Sequence, residues 1–110
     1  MPKGIMVVQS GPCDPTREDE YNEWYSNTHL PEICAVPGFV GARRYKVHDG
    51  EAAEPDPTRP AYLAVYEIDA DDLTSPVKEL RARTASGRMR MSDALRLDPP
   101  PVVTFYELIE

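Results

Sequence analysis

The chain has 110 residues, of which 41% are hydrophobic and 28% charged, and it carries a formal charge of −7. That size suits one domain with its own core, so residues 1–110 are read as a single domain. The acid excess argues against nucleic acid. No apolar run reaches the ~20 residues of a membrane helix, no leader-like start opens the chain, and Cys13 and Cys34 are too few for a disulfide framework or structural zinc; a cytoplasmic location is expected.

Gly4 to Gln9 is a short run rich in β-branched residues and reads as a strand, closed by Ser10-Gly11-Pro12. Asp14-Pro15 opens a helix as N-cap and first helical residue, with Glu18, Asp19 and Glu20 in its first turn, where the helix dipole favours anions. Tyr21, Trp24, Tyr25 and Thr28 recur at helical spacing. Pro31 is expected to break this helix or to start a short second one through Ala35. After the Pro37-Gly38 turn, Phe39 to Val47 reads as the second strand, and His48 falls in a turn before Asp49-Gly50. A polar loop with Pro55, Pro57 and Pro60 leads to a third strand, Tyr62 to Ile68. Ser75, as N-cap before Pro76, opens a second helix with Leu73, Val77, Leu80 and Thr84 as its inner stripe and Gly87 as its stop. Ser92 to Leu95 reads as one more helical turn, Pro99-Pro100-Pro101 as a stiff linker, and Val102 to Ile109 as the last strand.

The order βαββαβ is the ferredoxin-like α+β arrangement: a four-stranded antiparallel sheet with two helices on one face. In the last strand Val103, Phe105 and Ile109 oppose Val102, Tyr106 and Leu108, and in the third Tyr62, Ala64, Tyr66 and Ile68 oppose Leu63 and Val65. Both sheet faces are therefore largely apolar, and a second copy packed face to face is the expected cover for the face without helices.

His29 lies four residues beyond Tyr25, on the same helical face, and an imidazole beside an aromatic wall suits proton transfer near neutral pH. Glu32 is placed to orient it. Tyr21 and Trp24 read either as core or as the wall of an aromatic ligand pocket. Arg43 and Arg44 occupy successive strand positions, so one faces each side, and the inward one needs a carboxylate partner or a ligand anion. Tyr66 and Tyr106 offer hydroxyls to a cavity. His29, Glu32 and His48 do not have metal-ligand spacing, neither cysteine has the neighbours of an activated thiol, and no phosphate-binding, dinucleotide-binding, hydrolase or CxxC motif occurs. Six cations between Lys78 and Arg96 (Lys78, Arg81, Arg83, Arg88, Arg90 and Arg96) face only Glu79 and Asp93. They read as a solvated helix face or as an anion site for a substrate carboxylate or enolate.

The stretch Glu20 to Glu32, with its aromatic helix ending in His29-Leu30-Pro31, resembles the EthD-like members of the dimeric α/β-barrel superfamily. So do Val36-Pro37-Gly38-Phe39 and Ala42-Arg43-Arg44-Tyr45, together with Gly87 to Asp93 and the closing Phe105-Tyr106-Glu107 strand. The resemblance covers nearly the whole chain. It implies two ferredoxin-like subunits joined through their sheets, with a pocket in each between helices and sheet. Its members include cyclases, isomerases, dehydratases, oxygenases and accessory proteins, and many use no metal or organic cofactor. His29 matches the motif histidine. The resulting expectation is a homodimer that binds a small molecule, without cofactor, metal, nucleic acid or membrane. In an enzyme of this kind His29 would act as base or acid with Tyr25 or Tyr66 as hydrogen-bonding partner. Tyr21, Trp24, Thr28, Arg43, Arg44 and Tyr106 would line the pocket. The reaction would be proton transfer next to a carbonyl, as isomerisation, cyclisation or dehydration. The alternatives are a non-catalytic binding or accessory protein and a haem-handling oxygenase.

Overall fold

The computed structural model describes residues 3–48 and 60–109; the turn at Asp49-Gly50 and the loop through Pro55 and Pro57 lie outside them. Four strands form: β1 (Lys3–Ser10), β2 (Phe39–Lys46), β3 (Tyr62–Asp69) and β4 (Val102–Glu107). Their order is β2-β3-β1-β4, and every neighbouring pair is antiparallel. This is the expected α+β, ferredoxin-like sheet. The period of two is plain in β1 and β3, where Met6, Val8 and Ser10 are buried beside Tyr66, Ala64 and Tyr62.

β2 breaks that period at one place. Phe39 is buried opposite Ile68, but Val40 is an extra residue, so Gly41 already pairs with Glu67. A single added residue reverses which face every later side chain occupies. Beyond the bulge Ala42 and Arg44 therefore lie opposite Tyr66 and Ala64 on the helix-covered face, while Arg43 lies opposite Val65 on the other.

The first helical layer starts with a 3-10 turn, Pro15–Arg17, capped by Asp14, whose carboxylate accepts from the Thr16 N–H at 2.8 Å. It continues through α1 (Glu18–Trp24), a π turn (Tyr25–His29) and α2 (Leu30–Cys34). Pro31 does not break the helical run but stands in the first turn of α2, the short second helix that was the alternative expected. Proline lacks an N–H and its ring would strike the carbonyl four residues back. The π turn widens the helix there, with the Leu30 N–H reaching back to the Tyr25 carbonyl, and the run continues past the ring. It ends at Cys34, and after a short turn Gly38, whose φ of +100° suits glycine and whose missing Cβ leaves room for the ring of Pro76, leads the chain into β2.

α3 (Thr74–Ala85) is capped by Asp72 rather than by Ser75. The Asp72 carboxylate accepts from the Thr74 and Ser75 N–H groups at 2.8 and 2.7 Å and from the Ser75 hydroxyl at 2.9 Å. Gly87, at φ +77°, ends the helical segment as expected. Residues 86–101 then form an irregular strap. Ser92 to Leu95 is a hydrogen-bonded turn and not a helical turn, because Leu95 bridges to Pro12, and the Ala94 carbonyl accepts the Cys13 N–H at 2.7 Å. Arg17 adds ion pairs at 2.6 Å to both Asp93 and Glu20.

The core lies between the helical layer and one face of the sheet, with Tyr21, Tyr25, Tyr66 and Val36 its most deeply buried large side chains. The opposite face carries Ile5, Val7, Leu63 and Val65 half-buried, and Tyr45, Val102, Tyr106 and Leu108 exposed. Among the described residues no helix is long and apolar enough to cross a membrane.

Candidate functional site

A cavity of about 550 Å³ opens between α3, the strap and the β1–β4 side of the sheet. That is within the size range of sites for drug-sized ligands. Met6 and Val8 of β1 and Val103 and Phe105 of β4 form its floor. The pocket face of α3 is Val77, Leu80, Arg81, Thr84 and Ala85, at helical spacing. Met89 and Met91 of the strap supply a flexible roof. Tyr25, His29 and Ile33 close the far wall, and the Ser10 side chain reaches the lining from the end of β1.

His29 is the titratable group of that far wall whose ionisation is most displaced toward acid. Its ring stacks on Trp24, with centroids 4.7 Å apart and planes at 23°, and stands edge-on to Tyr25 at 5.0 Å. Burial holds its pKa down to about 4, so the imidazole is neutral at pH 7. Its Nδ1 is buried and has no hydrogen-bond partner among the described residues. Glu32 does not orient it. The Glu32 carboxylate instead accepts from the Arg90 N–H at 3.0 and 3.2 Å, and the Trp24 indole N–H donates to the Arg90 carbonyl at 2.7 Å. The backbone N–H and carbonyl of one strap residue, Arg90, are thereby both held by the helical run that carries His29.

The second polar feature is a cage of tyrosines around Arg44. Its guanidinium carbon lies 4.6, 5.3 and 5.5 Å from the ring centres of Tyr25, Tyr62 and Tyr21. Its N–H groups donate to Asn22 Oδ1 at 2.9 Å and Ser26 Oγ at 3.0 Å. The inward arginine thus has aromatic faces, an amide and a hydroxyl as partners, where a carboxylate or a ligand anion was expected. Tyr66 donates to the Tyr25 hydroxyl at 3.2 Å, and the Ser10 and Tyr21 hydroxyls are 2.6 Å apart. Burial raises the pKa of Tyr25 to about 12, opposed by the Tyr66 hydroxyl and by Arg44, and raises those of Tyr66 and Tyr21 as well. All three are neutral hydrogen-bonding groups at pH 7.

Tyr25 and His29, expected from the sequence, therefore meet at the cavity wall. Tyr66 stands behind Tyr25, Trp24 behind His29, and Tyr21 and Arg44 belong to the cage next to them. Thr28 is half-buried outside the described lining. Arg43 and Tyr106 sit on the opposite face of the sheet and do not face the cavity. His48 is exposed, and no cluster of three metal-ligating side chains occurs among the described residues. The roof methionines escaped the sequence reading as pocket residues. Arg81 was one of the six cations read as a solvated face or an anion site, and of those six it alone lines the cavity.

The fold and this pocket define a ferredoxin-like α+β protein with a ligand-sized cavity between helices and sheet. No protein-family model matches the sequence, and no curated protein matches it. Solved structures do. An ethyl tert-butyl ether D (EthD) family protein from Bacillus halodurans C-125 is similar over 96% of both chains, with a TM-score of 0.61 and 20% identity. An EthD-like protein from Ralstonia eutropha JMP134 is similar over 100% of this chain and 95% of its own, with a TM-score of 0.60 and 13% identity. The ActVA-Orf6 monooxygenase of Streptomyces coelicolor, solved with the ligand nanaomycin D, is similar over 93% of this chain and 84% of its own, with a TM-score of 0.56 and 22% identity. The chain has the fold of these EthD-like proteins, a four-stranded antiparallel sheet with helices on one face.

Proposed function

We propose that this chain processes a small aromatic or polyketide-like, ring-derived acidic compound by acid–base chemistry without a cofactor. The observation that carries the reading is a neutral imidazole, His29, edge-on to the Tyr25 ring at 5.0 Å, both side chains lining an apolar, ligand-sized cavity. In this reading His29 takes a proton from a carbon next to a carbonyl. The C–H electron pair moves onto the carbonyl oxygen and gives an enolate, toward which Tyr25 donates. Tyr66 already donates to Tyr25, which leaves the Tyr25 proton free for that role. Return of the proton to a different atom is an isomerisation, and loss of a neighbouring hydroxyl as water is a dehydration. The low pKa of His29 opposes charging the ring in an empty pocket, and the enolate formed beside it offsets that cost. The monooxygenase with a bound ligand on the same fold supports a ring compound as occupant.

The test uses 2-tetralone in D₂O, followed by NMR. Wild-type protein should accelerate exchange of the α-protons, and His29→Phe should remove the acceleration while keeping its melting temperature. A second reading, a non-catalytic binding protein, is favoured by the apolar lining and by the weak basicity of His29 itself. It prevails if the tetralone binds but exchanges no faster than in buffer.

We also propose that two copies pack through the outer sheet face, with Ile5, Val7, Leu63 and Val65 at the centre of the contact. The motive is the apolar area that the chain leaves uncovered. Native mass spectrometry should find two chains, and Val65→Asp should give one.

A further inference from the structure

Among the described residues, Arg81 is the only one of the cavity lining that carries a formal charge when His29 is neutral. On a helix, residues three and four apart are neighbours and can pair as opposite charges. Arg83 does so, 3.7 Å from Glu79 on the preceding turn. Arg81 does not. The residues three and four away from it are Val77, Lys78, Thr84 and Ala85, three of them uncharged and one cationic. Arg81 forms no ion pair among the described residues, in a chain with 19 acidic and 12 basic side chains. Acidic groups are abundant, and among the described residues none lines the cavity. Its neighbours in the lining, Val77, Leu80 and Ala85, are apolar.

We infer that Arg81 is the specificity residue of the cavity and that it selects an amphipathic monoanion. A carboxylate would pair with the guanidinium at the mouth, and a ring body would fill the space between Leu80, Val103 and Phe105. This deepens the proposed function and rests on its pocket. It also assigns anion recognition to α3 and not to Arg43 or Arg44, which face elsewhere. Guanidinium and carboxylate suit one another through two parallel hydrogen bonds, and low-dielectric walls strengthen the pairing.

The experiment is calorimetric titration of the full chain with 2-naphthoate and with its uncharged isostere, 2-naphthamide. Wild-type protein should bind the acid about tenfold or more tightly than the amide. Arg81→Gln should erase that preference and leave amide binding unchanged, Arg81→Lys should restore part of it, and Lys46→Gln, with the same change in net charge, should retain it. Equal binding of acid and amide by the wild type overturns the role of Arg81 and leaves the pocket intact. A preference that survives Arg81→Gln overturns it too. Binding of neither compound overturns the pocket reading itself, and this inference with it.

Discussion

Between the Pro15–Cys34 helix and strands β2 and β3 the space is filled by rings. Tyr21, Tyr25, Tyr62 and Tyr66 interlock with Phe39 and the Arg44 guanidinium, and the first, second and fourth of these tyrosines are almost wholly buried. Between α3 and strands β1 and β4 the same sheet faces Val77, Leu80, Thr84 and Ala85, and there a cavity remains. The two halves share one sheet, one face and similar chain geometry. What separates a core from a pocket here is side-chain volume: phenol rings on one helix, short aliphatic groups on the other. The filled half also supplies the proposed acid–base pair of the open half, because Tyr25 and His29 belong to the packed helical run and line the cavity beside it.

That contrast can be broken from either side. The largest effect should come from the filled half. Tyr66→Ala removes a fully buried ring and strands the Tyr25 hydroxyl, and urea denaturation should show a loss of about 4 kcal/mol. Next is the boundary between halves. His29 titrates near 4 in the folded chain and near 6.5 in the unfolded one, so the unfolded state binds more protons between those values. Stability should therefore be complete above pH 6.5 and fall as the pH drops toward 4, by on the order of 3 kcal/mol. A His29→Phe protein, keeping the stack on Trp24, should lose that part of the slope, and a slope unchanged by the substitution would show that His29 is not held neutral by the fold. A smaller effect belongs to the strap. Trp24→Phe deletes the hydrogen bond to the Arg90 carbonyl and should cost about 1 kcal/mol, with faster amide exchange in residues 88–92 as the local readout. The smallest stability effect should follow from filling the open half. Val77→Phe should change the unfolding free energy by less than about 1 kcal/mol, since the ring enters existing space, and yet abolish 2-naphthamide binding.

The strands, their order and the two-faced sheet were legible in the sequence because each rests on local alternation bounded by proline and glycine. Tyr25 and His29 were legible as a pair for the same reason, since four residues on a helix place both on one side. Three features were not. Alternation counted from Phe39 would put Arg43 on the helix-covered face, and the bulge at Val40 reverses this. A bulge is settled by pairing with β3, which the local sequence does not display. Pro31 reads as a breaker or as the start of a short second helix; it does stand in the first turn of α2, and what the sequence does not display is the π turn that joins α2 to α1. The strap reads as a helical turn at Ser92 to Leu95 and a stiff linker at Pro99 to Pro101, with nothing in either to show where it packs. Its placement depends on Trp24 and Glu32, which lie 58 or more residues before Arg90 in the chain. The roof of the cavity is therefore a tertiary feature with no local signature.

A π turn is an α-helix that has accommodated one residue more than its period allows. The phase of the chain before Tyr25 and after His29 thus differs by that single residue. Tyr21 and Tyr25 are buried on one side of it, and Ile33 and Val36 on the other. Removing exposed Asn27 would restore ordinary winding and turn all that follows by about 100°, carrying Ile33 out of the core and Pro31 into its steric clash. This segment should accept substitutions at Ser26 and Asn27 far more readily than any change in length, so indels among related sequences should be rare between Tyr25 and Val36 and frequent in the loops.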